Sequence, residues 1–225
     1  TMITPDPGST ALEWPGGRVA RDSNGFWYVL WMPETSISRP ILLSYTTTST
    51  PTSGTDWGLV TLAGSGGVVR AANLYGYGGW LAMGTDDVLQ VLWNDADSGT
   101  LTRCTNLSAL TVASSWVTPV DTSGTGVIFN PRGFALDSDN VAHVIGIDDD
   151  PWPMYTKYDT STTAFLPQKT LLECNGAAAT LAVDLDNNVY VVWGTTDAPY
   201  NVSLLCSTNA YTTNPAGSVW KNLGQ

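Results

Sequence analysis

The chain has 225 residues and carries 9 Lys and Arg against 20 Asp and Glu, giving a net charge of −11 and a pI near 4.1. That acidity excludes nucleic-acid binding through a basic surface. No apolar run reaches the roughly 18 residues of a membrane span, and 43% hydrophobic content with ten Trp excludes a disordered chain.

The bias within the polar residues is more specific. There are 17 Asp against 3 Glu, and 30 Thr against 3 Lys. Turn and strand formers thus replace the residues that usually coat helices, and an all-β domain is expected.

In chain order, residues 1–15 read as an N-terminal extension with neither a basic n-region nor an apolar h-region, so no signal peptide is expected. The stretch 9–16 is expected to add a latching outer strand. Cys104, Cys174 and Cys206 have no zinc-type spacing and cannot all pair, which favours free thiols.

Four segments then align without gaps. They are Asp22-Ser-Asn-Gly-Phe-Trp-Tyr-Val-Leu-Trp31, Gly84-Thr-Asp-Asp-Val-Leu-Gln-Val-Leu-Trp93, Asp137-Ser-Asp-Asn-Val-Ala-His-Val-Ile-Gly146 and Asp184-Leu-Asp-Asn-Asn-Val-Tyr-Val-Val-Trp193. Their starts are 62, 53 and 47 residues apart. Each begins as a polar Asp/Asn turn and ends as a β-branched and aromatic strand.

A second landmark follows in register: Trp57, Trp116, Leu171 and Trp220, between 23 and 27 residues after the first. Strand-like runs lie between the landmarks, at 41–45, 101–105, 154–158 and 202–206. Another run precedes each turn, as at 133–136 and 180–183. Each unit therefore reads as four short strands, A to D, with no helix-period segment. Units of about fifty residues and four strands predict a β-propeller of four four-stranded blades, forming one domain over 16–225. A sandwich or solenoid accounts less well for ten positions recurring in step. A closed ring of four is the simplest architecture; a larger ring completed by a second chain is its rival.

The segments at 137–144 and 184–193 resemble the blades of sialidase-like, BNR-repeat propellers. Cys206-Ser-Thr-Asn-Ala, followed by Ser218-Val-Trp220, resembles a degenerate Asp-box hairpin with Asn209 in place of the Asp. The resemblance implies the propeller fold and leaves function open. Its wider group includes sialidases, polysaccharide lyases, lectin-like modules and phage tail or virion proteins. The sialidases of that group use a Tyr–Glu nucleophile pair, and this chain offers only Glu13, Glu34 and Glu173. The lyases rely on His and Tyr, and this chain has one histidine, His143.

The Asp-x-Asp/Asn turns at Asp22, Asp137 and Asp184 have the donor types of a calcium loop, but the same residues close tight A–B hairpins through Asx hydrogen bonds, which is the expected role. Calcium stays open as the one ion these donors would take, and no cofactor or metal ligand set is assigned. His143 occupies a strand position that holds Tyr28, Gln90 and Tyr190 elsewhere, so it is expected to be a packed residue with a polar tip.

Alternating strand directions send B–C and D–A loops to one end of every blade. That end is expected to gather a ligand-binding surface from Asp95, Asp97, Asp148, Asp149, Asp150, Trp152, Tyr200 and Arg132, joined by Asp197, Arg70, Tyr75, Tyr77 and Trp80. Carboxylates accept sugar hydroxyls while aromatic faces cover the ring, and the same groups suit a cationic protein partner. No catalytic set is assigned.

The expected function is a non-enzymatic binding module for glycan or protein. By analogy, it would be a structural or receptor-binding component of a larger assembly such as a phage particle, extracellular or on a virion, with homo-oligomerisation possible. The alternative is a glycan-active enzyme, a lyase or hydrolase that uses Asp pairs as acid and base.

Overall fold

The computed structural model of the chain describes residues 18–32, 40–70, 78–95, 98–122, 130–147, 152–171, 176–195, 201–210 and 215–224. Each repeat folds as a sheet with its strands in chain order. The first sheet is β1 (Val19–Arg21), β2 (Trp27–Trp31), β3 (Ile41–Thr46) and β4 (Trp57–Ala63). The second is β5 (Gly79–Met83), β6 (Leu89–Asp95), β7 (Ser98–Cys104) and β8 (Val120–Asp121).

The third sheet is β9 (Asn130–Leu136), β10 (Ala142–Ile147) and β11 (Pro153–Asp159). Its fourth position is shared by two short strands, β12 (Ala164–Phe165) and β13 (Lys169–Thr170), both paired with β11. The fourth sheet is β14 (Gly176–Val183), β15 (Val189–Thr195), β16 (Val202–Ser207) and β17 (Lys221–Gly224). Helical structure among the described residues is limited to single 3-10 turns. The chain divides into two compact units. One comprises Thr1–Ala96 and Thr100–Pro119 and holds the first sheet and most of the second. The other comprises Asp97–Gly99 and Val120–Gln225 and holds the third and fourth sheets.

The A–B turns are the same object four times. The N–H of the fourth repeat residue donates to the carbonyl of the first, as in Gly25 to Asp22, Asp87 to Gly84, Asn140 to Asp137 and Asn187 to Asp184, at 3.0–3.1 Å. The first residue's N–H donates onward to the fifth residue's carbonyl. Closing a three-residue loop this way requires a left-handed fourth residue. Gly25 (φ 90°), Asp87 (58°), Asn140 (62°) and Asn187 (61°) supply it, with the residue types that reach that region most readily. Asp137 and Asp184 each accept two backbone N–H groups on Oδ1, so these carboxylates serve the Asx turn expected of them.

Neighbouring turns are clasped together within each unit. Asp87 accepts the Ser23 N–H at 2.9 Å and the Ser23 hydroxyl. Asn187 accepts the Ser138 N–H at 2.9 Å and donates to the Ser138 hydroxyl at 2.7 Å. The Ser23 hydroxyl and N–H hold the Asp87 carboxyl below the usual range. The C–D loops use the same chemistry. Asn209, in the degenerate box, accepts the Ser207 hydroxyl and the Val219 N–H, and Asp56 accepts the Thr52 and Ser53 N–H groups.

In the first unit, Tyr28, Leu30, Ile41 and Leu43 of the first sheet pack with Leu89, Val91 and Trp93 of the second and with Trp116, which bridges to Cys104. In the second unit, Ile145 and Tyr155 pack with Leu181, Val189, Val191 and Leu205. The terminal tryptophans of the second and fourth copies, Trp93 and Trp193, are fully buried, whereas Trp31 of the first is half-buried. Burial on this scale stabilises by about 2–3 kcal/mol per large side chain.

Candidate functional site

Antiparallel order places the B–C and D–A connections at one end of each sheet and the A–B turns at the other. At the B–C end of the third sheet, Arg132 enters from β9 at the bulge between Gly133 and Pro131, and Trp152 directly precedes β11. These two expected site residues thus share one sheet end, both half-buried. Burial lowers the pKa of the Arg132 guanidinium. In the first unit, Arg70 Nη1 donates to Thr100 Oγ1 at 3.5 Å.

Asp95 is the last residue of β6, which puts its backbone at this end too. Asp97, Asp148, Asp149, Asp150 and Tyr200 lie outside the described residues, as do Asp197, Tyr75 and Tyr77. Trp80 corrects its expectation. It sits in β5, paired with Leu92 and 2% exposed, because the glycine-rich stretch before it reads as loop while its strand register buries the indole.

The opposite end of the first unit holds a cleft of about 360 Å³, lined by Asp22, Phe26, Tyr28, Tyr45, Thr46 and Leu107 among others. Asp22 Oδ1 accepts the Phe26 N–H at 2.8 Å and Oδ2 accepts the Tyr28 hydroxyl at 3.0 Å. Burial, followed by the Asp22 contact, drives the Tyr28 phenol well above its ordinary pKa, so it stays a donor. The cleft has aromatic walls with hydroxyl and carboxylate edges. Its parts come from three separate stretches of chain, and no motif in the sequence marks it.

The equivalent position in the third sheet is closed. His143 Nε2 lies 2.8 Å from Asp137 Oδ2 and Nδ1 lies 2.6 Å from the Tyr155 hydroxyl. Burial lowers the His143 pKa, against the pull of Asp137. Burial alone would raise the Asp137 carboxyl, but the His143 and Val141 hydrogen bonds outweigh it and the net shift is down. A neutral imidazole donating from Nε2 and accepting the Tyr155 proton on Nδ1 satisfies all three groups. Lys157 lies alongside, 9% exposed, and donates to the Ala210 carbonyl at 3.1 Å.

This arrangement has the residue types of a proton relay, but His143 and Tyr155 are 0% exposed, so it holds the hairpin and reaches no substrate. Among the described residues, no group of three or more His, Cys, Asp or Glu side chains is placed to hold a metal ion.

No family model matches the sequence, and no curated protein is significantly similar to it. Solved structures do share its fold. The catalytic domain of the Coprinopsis cinerea GH62 α-L-arabinofuranosidase superposes with a TM-score of 0.57 at 10% identity, over 96% of this chain and 72% of that one. The Hadza microbial sialidase Hz136 gives 0.56 at 12% identity, over 96% and 47%. A PL25 ulvan lyase gives 0.56 at 10% identity, over 91% and 55%. The chain spans about half the length of the sialidase and the lyase. At these identities the likeness shows the fold: four four-stranded antiparallel sheets of the β-propeller class found in glycoside hydrolases, sialidases and polysaccharide lyases.

Proposed function

We propose that this chain is a glycan-active propeller protein whose substrate lies at the B–C and D–A end of its sheets. One observation carries the reading: the three structures described above share its fold and catalyse different reactions, yet each is named for action on a glycan. What a shared scaffold with divergent chemistry has in common is the ligand class its loops accommodate. The chain's own residues narrow the chemistry. Its single histidine is sequestered with Asp137 and Tyr155, which leaves histidine-based lyase chemistry without its base. The loop carboxylates at Asp95, Asp97 and 148–150 remain as candidates for acid–base hydrolysis, with Trp152 as a stacking surface and Arg132 at the same sheet end.

A binding module without turnover is the second reading. It is favoured by the use the described carboxylates are put to. Asp56, Asp87, Asp137, Asp159 and Asp184 are held below the usual carboxylate range by the hydrogen bonds that tie their turns, and none of these five serves as a general acid. The expected place in a phage particle draws no support from these likenesses and forms no part of the proposal.

The test is incubation with arabinoxylan, ulvan and sialylated glycans. Reducing ends and the ultraviolet absorbance of unsaturated uronates would be followed for wild type, Asp149→Asn and His143→Gln. Reducing ends lost in Asp149→Asn but retained in His143→Gln support hydrolysis. Binding without product supports the module. Absence of both binding and product on every glycan defeats the proposal.

A further inference from the structure

Each unit has a place between the third strand of one copy and the C–D loop of the next. In the second unit a lysine fills it. Lys157 stands opposite His143 in the register of β10 and β11, and its Nζ donates to the Ala210 carbonyl of the following copy at 3.1 Å. Burial lowers the Lys157 pKa, and the charge of Asp137, the turn carboxylate of the same sheet, opposes that shift. The chain thus supplies its own ammonium group within electrostatic reach of this carboxylate.

In the first unit the counterpart of that place is a cleft. Tyr45 stands opposite Tyr28 as Lys157 stands opposite His143. Leu107 lies three residues past Cys104, which bridges to Trp116. Ala210 lies three residues past Ser207, which the pairing of Cys206 with Lys221 sets opposite Trp220. Tyr45 and Leu107, the counterparts of Lys157 and Ala210, both line the cleft of about 360 Å³, together with Asp22, Phe26, Tyr28 and Ser108. A tyrosine therefore stands where the third copy has its lysine, while the turn acid is kept. Asp22 is 8% exposed and accepts from the Phe26 N–H and the Tyr28 hydroxyl, and among the described residues no Lys or Arg pairs with it.

The lining selects the charge of what enters. An anion meets Asp22 and a chain of net charge −11. A neutral apolar molecule strips water from the carboxylate and returns nothing. A cation gains from both kinds of wall, since aromatic faces attract it and the carboxylate pairs with it. The Tyr45 wall is fixed in place, because its ring lies over Gly58 with no room for a Cβ beneath it. The volume falls at the small end of the range of about 300–1,000 Å³ usual for ligand pockets.

We propose that this cleft binds a primary alkylammonium ion, the chemistry that Lys157 supplies from within the chain at the corresponding place of the second unit. The ammonium pairs with Asp22, and the alkyl stem lies against Phe26, Tyr28 and Tyr45. The site is at the A–B end of the first sheet, so it does not depend on a glycan at the B–C end.

The test is a proton–nitrogen NMR titration with n-butylammonium chloride at constant ionic strength, with n-butanol as the neutral analogue. Amide shifts are expected at Asp22, Phe26, Tyr28, Leu107 and Ser108, saturating at about 1–10 mM, with n-butanol at least about tenfold weaker. Asp22→Asn retains an acceptor for the Phe26 N–H and is expected to weaken binding at least about tenfold. Tyr45→Lys installs the third copy's own ammonium and is expected to abolish binding. Ser108→Lys places a competing charge at an exposed position on the rim, with no packing to lose, and is expected to weaken binding severalfold. A blocked Gly-Lys-Gly peptide separates the two sources of this chemistry. Binding at least about tenfold tighter than n-butylammonium assigns the site to a lysine of another protein, and equal or weaker binding assigns it to a free amine; both support the proposal. Absence of shifts at these residues, n-butanol that binds as well as n-butylammonium, or folded Asp22→Asn and Ser108→Lys proteins that bind like wild type overturns it.

Discussion

His143 and Asp137 are joined at 2.8 Å, both side chains fully buried, across the six residues that separate the first position of an A–B turn from the strand leaving it. Tyr28 and Asp22 make the same link at 3.0 Å, and Tyr190 and Asp184 at 3.1 Å. Where the second copy has Gly84, its strand has Gln90. Turn residue and strand residue therefore vary together: a carboxylate is present where the strand brings a phenol or imidazole to it.

That pair sets a pH dependence. His143 is neutral in the folded protein with a pKa below its ordinary 6.5, facing Asp137, Tyr155 and Lys157. The unfolded chain binds a proton at about 6.5, so the stabilisation is complete above that pH and is lost as pH falls below it toward the folded-state pKa. Asp137, also depressed, adds a loss of the same sign at lower pH. Thermal melts from about pH 7.5 to 5 should show a falling Tm in wild type and a flatter profile in His143→Gln.

The left-handed turn residues can be tested by a pair of substitutions. Asn187→Gly keeps the backbone conformation and removes only the clasp to Ser138, an exposed contact worth about 0.5–1 kcal/mol. Asn187→Ala removes the clasp and also strains a φ of 61°, adding about 1 kcal/mol. Urea unfolding of the two should differ in midpoint with unchanged slope. Equal midpoints would refute the backbone argument.

Gly133 marks a close approach between sheets. A Cβ there would meet Leu181 N and Thr180 Cα at 2.9 Å and Ile145 Cγ2 at 2.8 Å. Two of these atoms are backbone and cannot rotate away. Gly133→Ala should cost about 2–3 kcal/mol by urea denaturation, as overpacking does.

Cys104 is buried, and burial raises its thiol pKa. At about pH 8, iodoacetamide should leave Cys104 unmodified in the native protein and modify it in urea, read by peptide mass spectrometry.

The strands were legible because a ten-residue pattern recurs four times and its first half is turn chemistry. Asp137, Asp184 and the left-handed Asn140 and Asn187 carry that signal locally. His143 was legible as a packed polar position because Tyr28, Gln90 and Tyr190 stand in its place. Its second partner, Tyr155, was not. Tyr155 joins from β11 through cross-strand register, which residue types alone do not define. Trp80 was misplaced for a related reason, since the pairing of β5 with β6 outweighs a glycine-rich local sequence. The cleft at Asp22 joins parts from two repeats, so no single stretch of sequence announces it. Of the expected ligand-binding surface, Arg132 and Trp152 share a sheet end, as alternating strand directions require.

The clasps of Ser23 with Asp87 and Ser138 with Asn187 lie at the A–B tips, among the hydrogen bonds that fix each hairpin. The B–C connections lie at the other end of the strands, so they can be exchanged or lengthened without touching these clasps. For protein engineering, this makes the B–C loops the segments to randomise, with the Asp/Asn turns held constant as the frame of the library.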